Sequence, residues 1–142
     1  MPFKEKIAWI SVITTLAVWG IYFAFLLSAV ASGRGPDHGH MIGFFGAVVI
    51  QVLLIIVASV ITAATAPKDA SAGSDERDKA IARGSSAIAY PVLLSGVVLV
   101  AASMHLGLTA PGMAYGIMAA IVIAEVVHYG AQIVFYRSGR HG

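Results

Sequence analysis

The chain has 142 residues, of which 58% are hydrophobic and 11% charged, against about 25% charged in an ordinary soluble domain. With a mean hydropathy of +0.86, that balance excludes a soluble globular domain, a disordered chain and a nucleic-acid-binding module. The absence of cysteine excludes disulfides and thiol chemistry, and a net charge of only +2 makes the pI near 9.1 a weak sign of a polyanionic partner.

Four apolar stretches follow one another, over 7–31, 41–65, 85–107 and 113–136, each of 23 to 25 residues. About 20 are needed to cross the hydrocarbon core. In lipid such stretches must be helices, because no water is present to satisfy the backbone. The expected fold is therefore an all-α integral membrane protein, an up-down-up-down bundle of two hairpins. The first stretch follows Lys4 and Lys6 and precedes Ala29-Val30-Ala31, which gives it the look of a secretory signal. It exceeds the roughly 7–15 residues of a signal h-region and is expected to be retained.

Charge supplies the orientation. Lys4, Lys6, Lys68, Arg77, Lys79, Arg83, Arg137 and Arg140 fall on one side and Arg34 alone on the other. The positive-inside rule places both termini and the loop 66–84 in the cytoplasm of a bacterial or archaeal cell. The loops 32–40 and 108–112 then lie outside. Trp9 and Tyr136 suit the inner interface and Tyr115 the outer one.

In the loop 66–84, Ser74 is a candidate N-cap. Asp75 and Glu76 suit the first turn of a helix, and Asp75 is placed to pair with Lys79. The helix is expected to run on through 80–86 into the third span. Asp75, Glu76, Arg77, Asp78, Lys79 and Arg83 would form a charged handle below the membrane, either a solvated helix start or a docking surface for a cytosolic partner.

The segment Asp75-Glu76-Arg77-Asp78-Lys79-Ala80-Ile81, leading to Ala89-Tyr90-Pro91, resembles a family of small prokaryotic four-span membrane proteins. Their last span ends in a basic tail, matched here by Glu125-Val126-Val127-His128-Tyr129 and Tyr136-Arg137-Ser138-Gly139-Arg140. The likeness covers about the C-terminal half of the chain. It implies a regulatory or accessory role beside a small cytosolic regulator, and it implies no catalytic residues.

An ionisable group at the bilayer centre costs about 2.5 to 3.5 kcal/mol on insertion scales. Glu125 is such a group, and His128, Tyr129, Gln132 and Tyr136 follow it on one helical face. The stripe is expected to face the bundle or a subunit interface. Trp19, Gln51 and Ser95 lie at the same depth and Thr14 and Thr15 near that of His128. Two readings stay open. One is a hydrogen-bonded structural network, with Glu125 protonated or paired with His128. The other is a proton or small-cation path in a homo-oligomer. Glu-x-x-His also has metal-ligand spacing, but the chain has no second intramembrane carboxylate for a di-iron site.

A second cluster, His38 and His40 beside Asp37 in the first outer loop and His105 at the end of the third span, is a candidate transition-metal site. His105 and His128 differ in depth by about 18–20 Å, so they cannot share a haem. Small residues recur every fourth position at Gly112, Gly116, Ala120 and Ala124, and at Gly20, Ala24 and Ser28. They suit close helix packing within the chain or between copies. Pro91 removes a backbone donor within the third span and predicts a kink. No phosphate loop, nucleophile–base pair or zinc-protease motif is present. The reading that results is a non-enzymatic accessory or regulatory protein of the inner membrane. Lipid is its one expected bound molecule, and it would be a homo-oligomer or a subunit of a larger complex.

Overall fold

The computed structural model describes residues 3–67 and 75–139; Ser74, Lys68 and Arg140 lie outside them. Four long helices follow in order: α1 (Phe3–Ala31), α2 (His38–Thr65), α3 (Glu76–Ser103) and α4 (Ala110–Ser138), with a short 3-10 turn at Met104–Leu106 after α3. All four are long and apolar enough to cross a membrane. Three of them start before their apolar stretch, where a polar residue caps the helix. Asp37 caps α2, Thr109 caps α4 and Asp75 caps α3 by accepting the Asp78 N–H at 2.7 Å. Asp75 thus takes the role expected of Ser74. Its carboxylate is committed to the backbone, and Lys79 pairs instead with Glu76, at 2.7 Å.

Glycine closes the turns. Gly33 (φ 72°) ends α1 with its own N–H on Val30 O and the Arg34 N–H on Ala29 O. Gly107 (φ 89°) repeats the pattern, its N–H on Met104 O and that of Leu108 on Ser103 O. Both are left-handed caps that satisfy the last free carbonyls and turn the chain back. The helix α3 passes through Pro91 without ending.

The two hairpins, α1–α2 and α3–α4, join along α1 and α4, the central pair. The α3–α4 seam is close because it is built from small residues. A Cβ placed on Gly96 would lie 2.7 Å from that of Ala120, and one on Gly116 would lie 2.9 Å from Val100 Cγ2. This is the packing expected of the Gly112–Ala124 stripe. Gly20 of the other stripe has nothing within 4 Å of its Cβ direction.

The buried core lies toward the end opposite the termini. Trp19, Tyr22, Leu26, Ala47 and Tyr115 form it, with Phe23, Phe44, Val48, Met118 and Val122 against them. The rings meet edge-on or tilted, Trp19–Tyr22 at 5.8 Å and Trp19–Phe44 at 5.5 Å, as ring quadrupoles favour. Tyr115 is therefore a core residue and not the interfacial anchor its position suggested, because α4 turns it toward α1. Ile21, Phe25, Leu27, Ile42, Leu99 and many like them are exposed. On a soluble protein such a surface would aggregate; on four spans it is the lipid-facing surface.

Candidate functional site

At the end that carries the termini, α1, α3 and α4 are tied by charge. Lys4 lies 3.2 Å from Asp78 Oδ2 and Arg137 Nε 3.4 Å from Glu5 Oε1. The Tyr136 hydroxyl donates to Asp78 Oδ1 at 2.8 Å, and Arg77 Nη2 donates to the Tyr136 carbonyl at 3.2 Å. The Arg137 guanidinium stands 5.3 Å from the Trp9 ring centre, within cation–π range. Tyr136 is buried by these contacts. The handle expected over 75–83 is thus divided. Asp75, Arg77 and Asp78 work inside the fold, while Glu76, Lys79 and Arg83 remain exposed. The one sign of this knot in the sequence is Glu5, a lone acid in a basic terminus.

The polar stripe on α4 rises from this end. Gln132 and Tyr136 line a cavity of about 400 Å³ with Lys4, Ile7, Asp78 and Lys79. One turn up, Gln132 Nε2 lies 2.9 Å from His128 Nε2. With the amide oriented this way, Gln132 donates, so the imidazole proton sits on Nδ1. Tyr129 turns toward Ser11 of α1. Glu125 completes the stripe, 15 residues from the start of α4 and 13 from its end, and its side chain is exposed. Among the described residues it forms no hydrogen bond or ion pair.

Of the two placements expected for the stripe, the bundle and a subunit interface, Glu125 does not take the first, and it does not pair with His128. The reason lies in its neighbours. Gly116, Ala120 and Ala124 occupy the side of α4 that meets α3; Tyr115, Val122, Ile133 and Tyr136 occupy the side that meets α1. Residue 125 follows Ala124 by about 100° of rotation. Once the small stripe packs on α3, Glu125 must look away from it. That adjacency was readable in the sequence.

The midplane layer does not assemble either. Gln51 Nε2 donates to Thr15 Oγ1 at 3.0 Å and Thr14 Oγ1 at 3.2 Å, joining α2 to α1, while its Oε1 is buried without a partner. Trp19 belongs to the aromatic core, and Ser95 lies in an apolar groove with Pro91, Gly96 and Ile123.

At the opposite end, the Asp37 carboxylate receives the His40 backbone N–H at 3.1 Å and the ring Nδ1 at 2.7 Å. A separation of 2.7 Å requires a proton between ring and carboxylate, so Nδ1 donates, and the 3.3 Å approach of the Asp37 N–H to the same nitrogen is not a hydrogen bond. These bonds, the ring's first and the backbone's second, hold the Asp37 carboxyl below its ordinary value. His40 is buried, stacked on Phe25 at 5.0 Å, and its carbonyl accepts the Tyr22 hydroxyl at 3.2 Å. It is a structural residue here. His38 and His105 are exposed, and among the described residues no three His, Cys, Asp or Glu side chains gather as a metal site. The expected convergence of His38, His40 and His105 does not occur.

The four spans and their lipid-like surface define a multi-pass membrane protein. Comparison with protein-family models, curated proteins and solved structures gives no match.

Proposed function

We propose that the chain is a small accessory or regulatory subunit that works within a membrane assembly. The observation that carries this reading is Glu125, a carboxyl at mid-span, exposed on the outer surface of the helices and with no hydrogen-bond or ion-pair partner among the described residues. Lipid cannot solvate such a group, so another helix covers it. The exposed part of the handle, Glu76, Lys79 and Arg83, supplies a contact for a soluble partner, in keeping with the resemblance of the D-E-R-D segment. The excess of Lys and Arg at that end supports its placement in the cytoplasm. Native mass spectrometry of the full chain, extracted with its surrounding membrane, tests the reading. A particle heavier than one chain plus lipid is expected; a lone chain carrying lipid alone would overturn it.

A second reading is favoured by one arrangement. The sequence Glu125, His128, Gln132 leads from mid-span to the cavity beside Lys4 and Asp78, as a proton or small-cation path in a homo-oligomer would. Liposomes containing the protein would then show a pH-driven flux that Glu125→Gln abolishes. Flux no greater than in empty liposomes removes this reading.

A further inference from the structure

Ala114, Met118, Ile121, Glu125, His128 and Gln132 recur on α4 at alternating steps of four and three residues. That is the seam of a left-handed helix pair, in which each side chain enters a hole on the facing helix. On this seam Ile121 and Glu125 are exposed, Ala114, His128 and Gln132 are half-exposed, and Met118 is half-buried against the core. Ile123, on the opposite side of α4, is exposed over an apolar groove.

Two polar groups on the seam are unspent. Among the described residues Glu125 accepts no hydrogen bond. His128, its Nε2 taken by Gln132, presents an Nδ1–H with no acceptor. They stand three residues apart, about 4.5 Å along the axis, yet do not meet. A knob at 125 facing a parallel copy enters a hole bounded by residues 121, 125 and 128 of that copy. A two-fold axis along the seam therefore sets each Glu125 against the other copy's His128, and the reciprocal contact follows from symmetry.

Resting on the reading of a membrane assembly, we infer that the occupant of this face is a second copy of the chain, packed α4 to α4 about a two-fold axis and held by two reciprocal Glu125–His128 hydrogen bonds. The seam carries both an unspent acceptor and an unspent donor, so it complements itself, and this favours a copy over an unrelated helix. The dimer would carry both charged handles at one membrane face.

A photoreactive phenylalanine derivative in place of Ile121, activated in native membranes, tests the face. The expected product is an adduct of two 14.8 kDa chains, with none from the same probe at position 123. An adduct with a different polypeptide would overturn the second copy while leaving the assembly reading in place. Adducts with lipid alone would overturn both. The pairing is tested with Glu125→Ala and His128→Ala chains, each carrying the probe at 121. Either alone is expected to lose the dimer adduct about tenfold. Co-expression of the two recovers it, since a mixed dimer restores one Glu125–His128 contact. Failure of the mixed pair to exceed either variant alone would overturn the reciprocal bonds.

Discussion

Tyr136, in the last turn of α4, donates its hydroxyl to Asp78, in the first turn of α3, at 2.8 Å. The two ends of the second hairpin are thereby locked together, and Lys4 on the other side of Asp78 draws in α1. Tyr136→Phe is expected to destabilise the chain by about 1.5 kcal/mol, the lower figure for a hydrogen bond to a charged acceptor. Asp78→Ala should cost more, since it releases Lys4 as well. The double variant should be no worse than Asp78→Ala alone. Denaturant titration in detergent, followed by helix signal, checks the non-additivity; strictly additive losses would mean that the two side chains act independently.

The same geometry separates folding from docking within the handle. Reversing Asp78 attacks the fold, so it says nothing clean about a partner. Exchanging Glu76 and Lys79 keeps their pair and inverts the surface pattern. That double swap is expected to change stability by less than about 1 kcal/mol, as exposed pairs do. It should nevertheless abolish recovery of a soluble partner in pull-downs from native membranes. Undiminished recovery would move the contact elsewhere.

Gly96 makes a sharper test of packing. An added Cβ would meet that of Ala120 at 2.7 Å, and α3 would have to move off α4. Gly96→Ala is expected to destabilise by about 1 to 3 kcal/mol, as overpacking does. Ala120→Gly in the same chain should return part of that loss. Gly130, with nothing within 4 Å of its Cβ direction, should accept alanine with no loss, since glycine is the poorer helix former by about 1 kcal/mol. Thermal unfolding of the three variants beside the wild type gives the comparison.

Acid should loosen the start of α2. The His40 ring and backbone bonds hold the Asp37 carboxyl below its ordinary 3.8. The folded state therefore prefers the ionised form. Its contribution is fully present above the ordinary value and is lost as pH falls through the lowered one. The unfolding midpoint of the wild type is expected to drop as pH falls below the ordinary carboxylate value, by more than that of Asp37→Asn, whose cap cannot titrate. Parallel pH curves for the two proteins would show that the carboxylate contributes nothing there.

Much of the fold was legible because lipid narrows the choices. The four spans followed from length alone, whereas Asp37 and Thr109 were not expected as caps and Asp75, expected in the first turn, is itself the cap. The facing of each helix was harder to read. In water, burial separates apolar from polar residues; in lipid, apolar side chains serve both sides. Phe25 is exposed and Trp19 buried, and nothing in their chemistry distinguishes them. For Glu125 polarity left the bundle and a subunit interface equally open. Van der Waals fit decided against the bundle, because Gly116, Ala120 and Ala124 allow α3 to approach and a glutamate would not. His40 shows the same limit: metal-ligand chemistry was visible in the sequence, while its burial beneath Phe25 and its bond to Asp37 depend on the hairpin.

The position of α4 has a consequence for how the protein is made. Of the four helices it is made after the other three, yet it is the one that packs on both α1 and α3, and its end supplies the partner of Glu5, 132 residues upstream. Until it inserts, the first hairpin and α3 have little besides the loop between them to hold them together, and Glu5 waits for Arg137. A chain that stops before α4 therefore carries its first three helices without the one that unites them, and its Glu5 without an arginine.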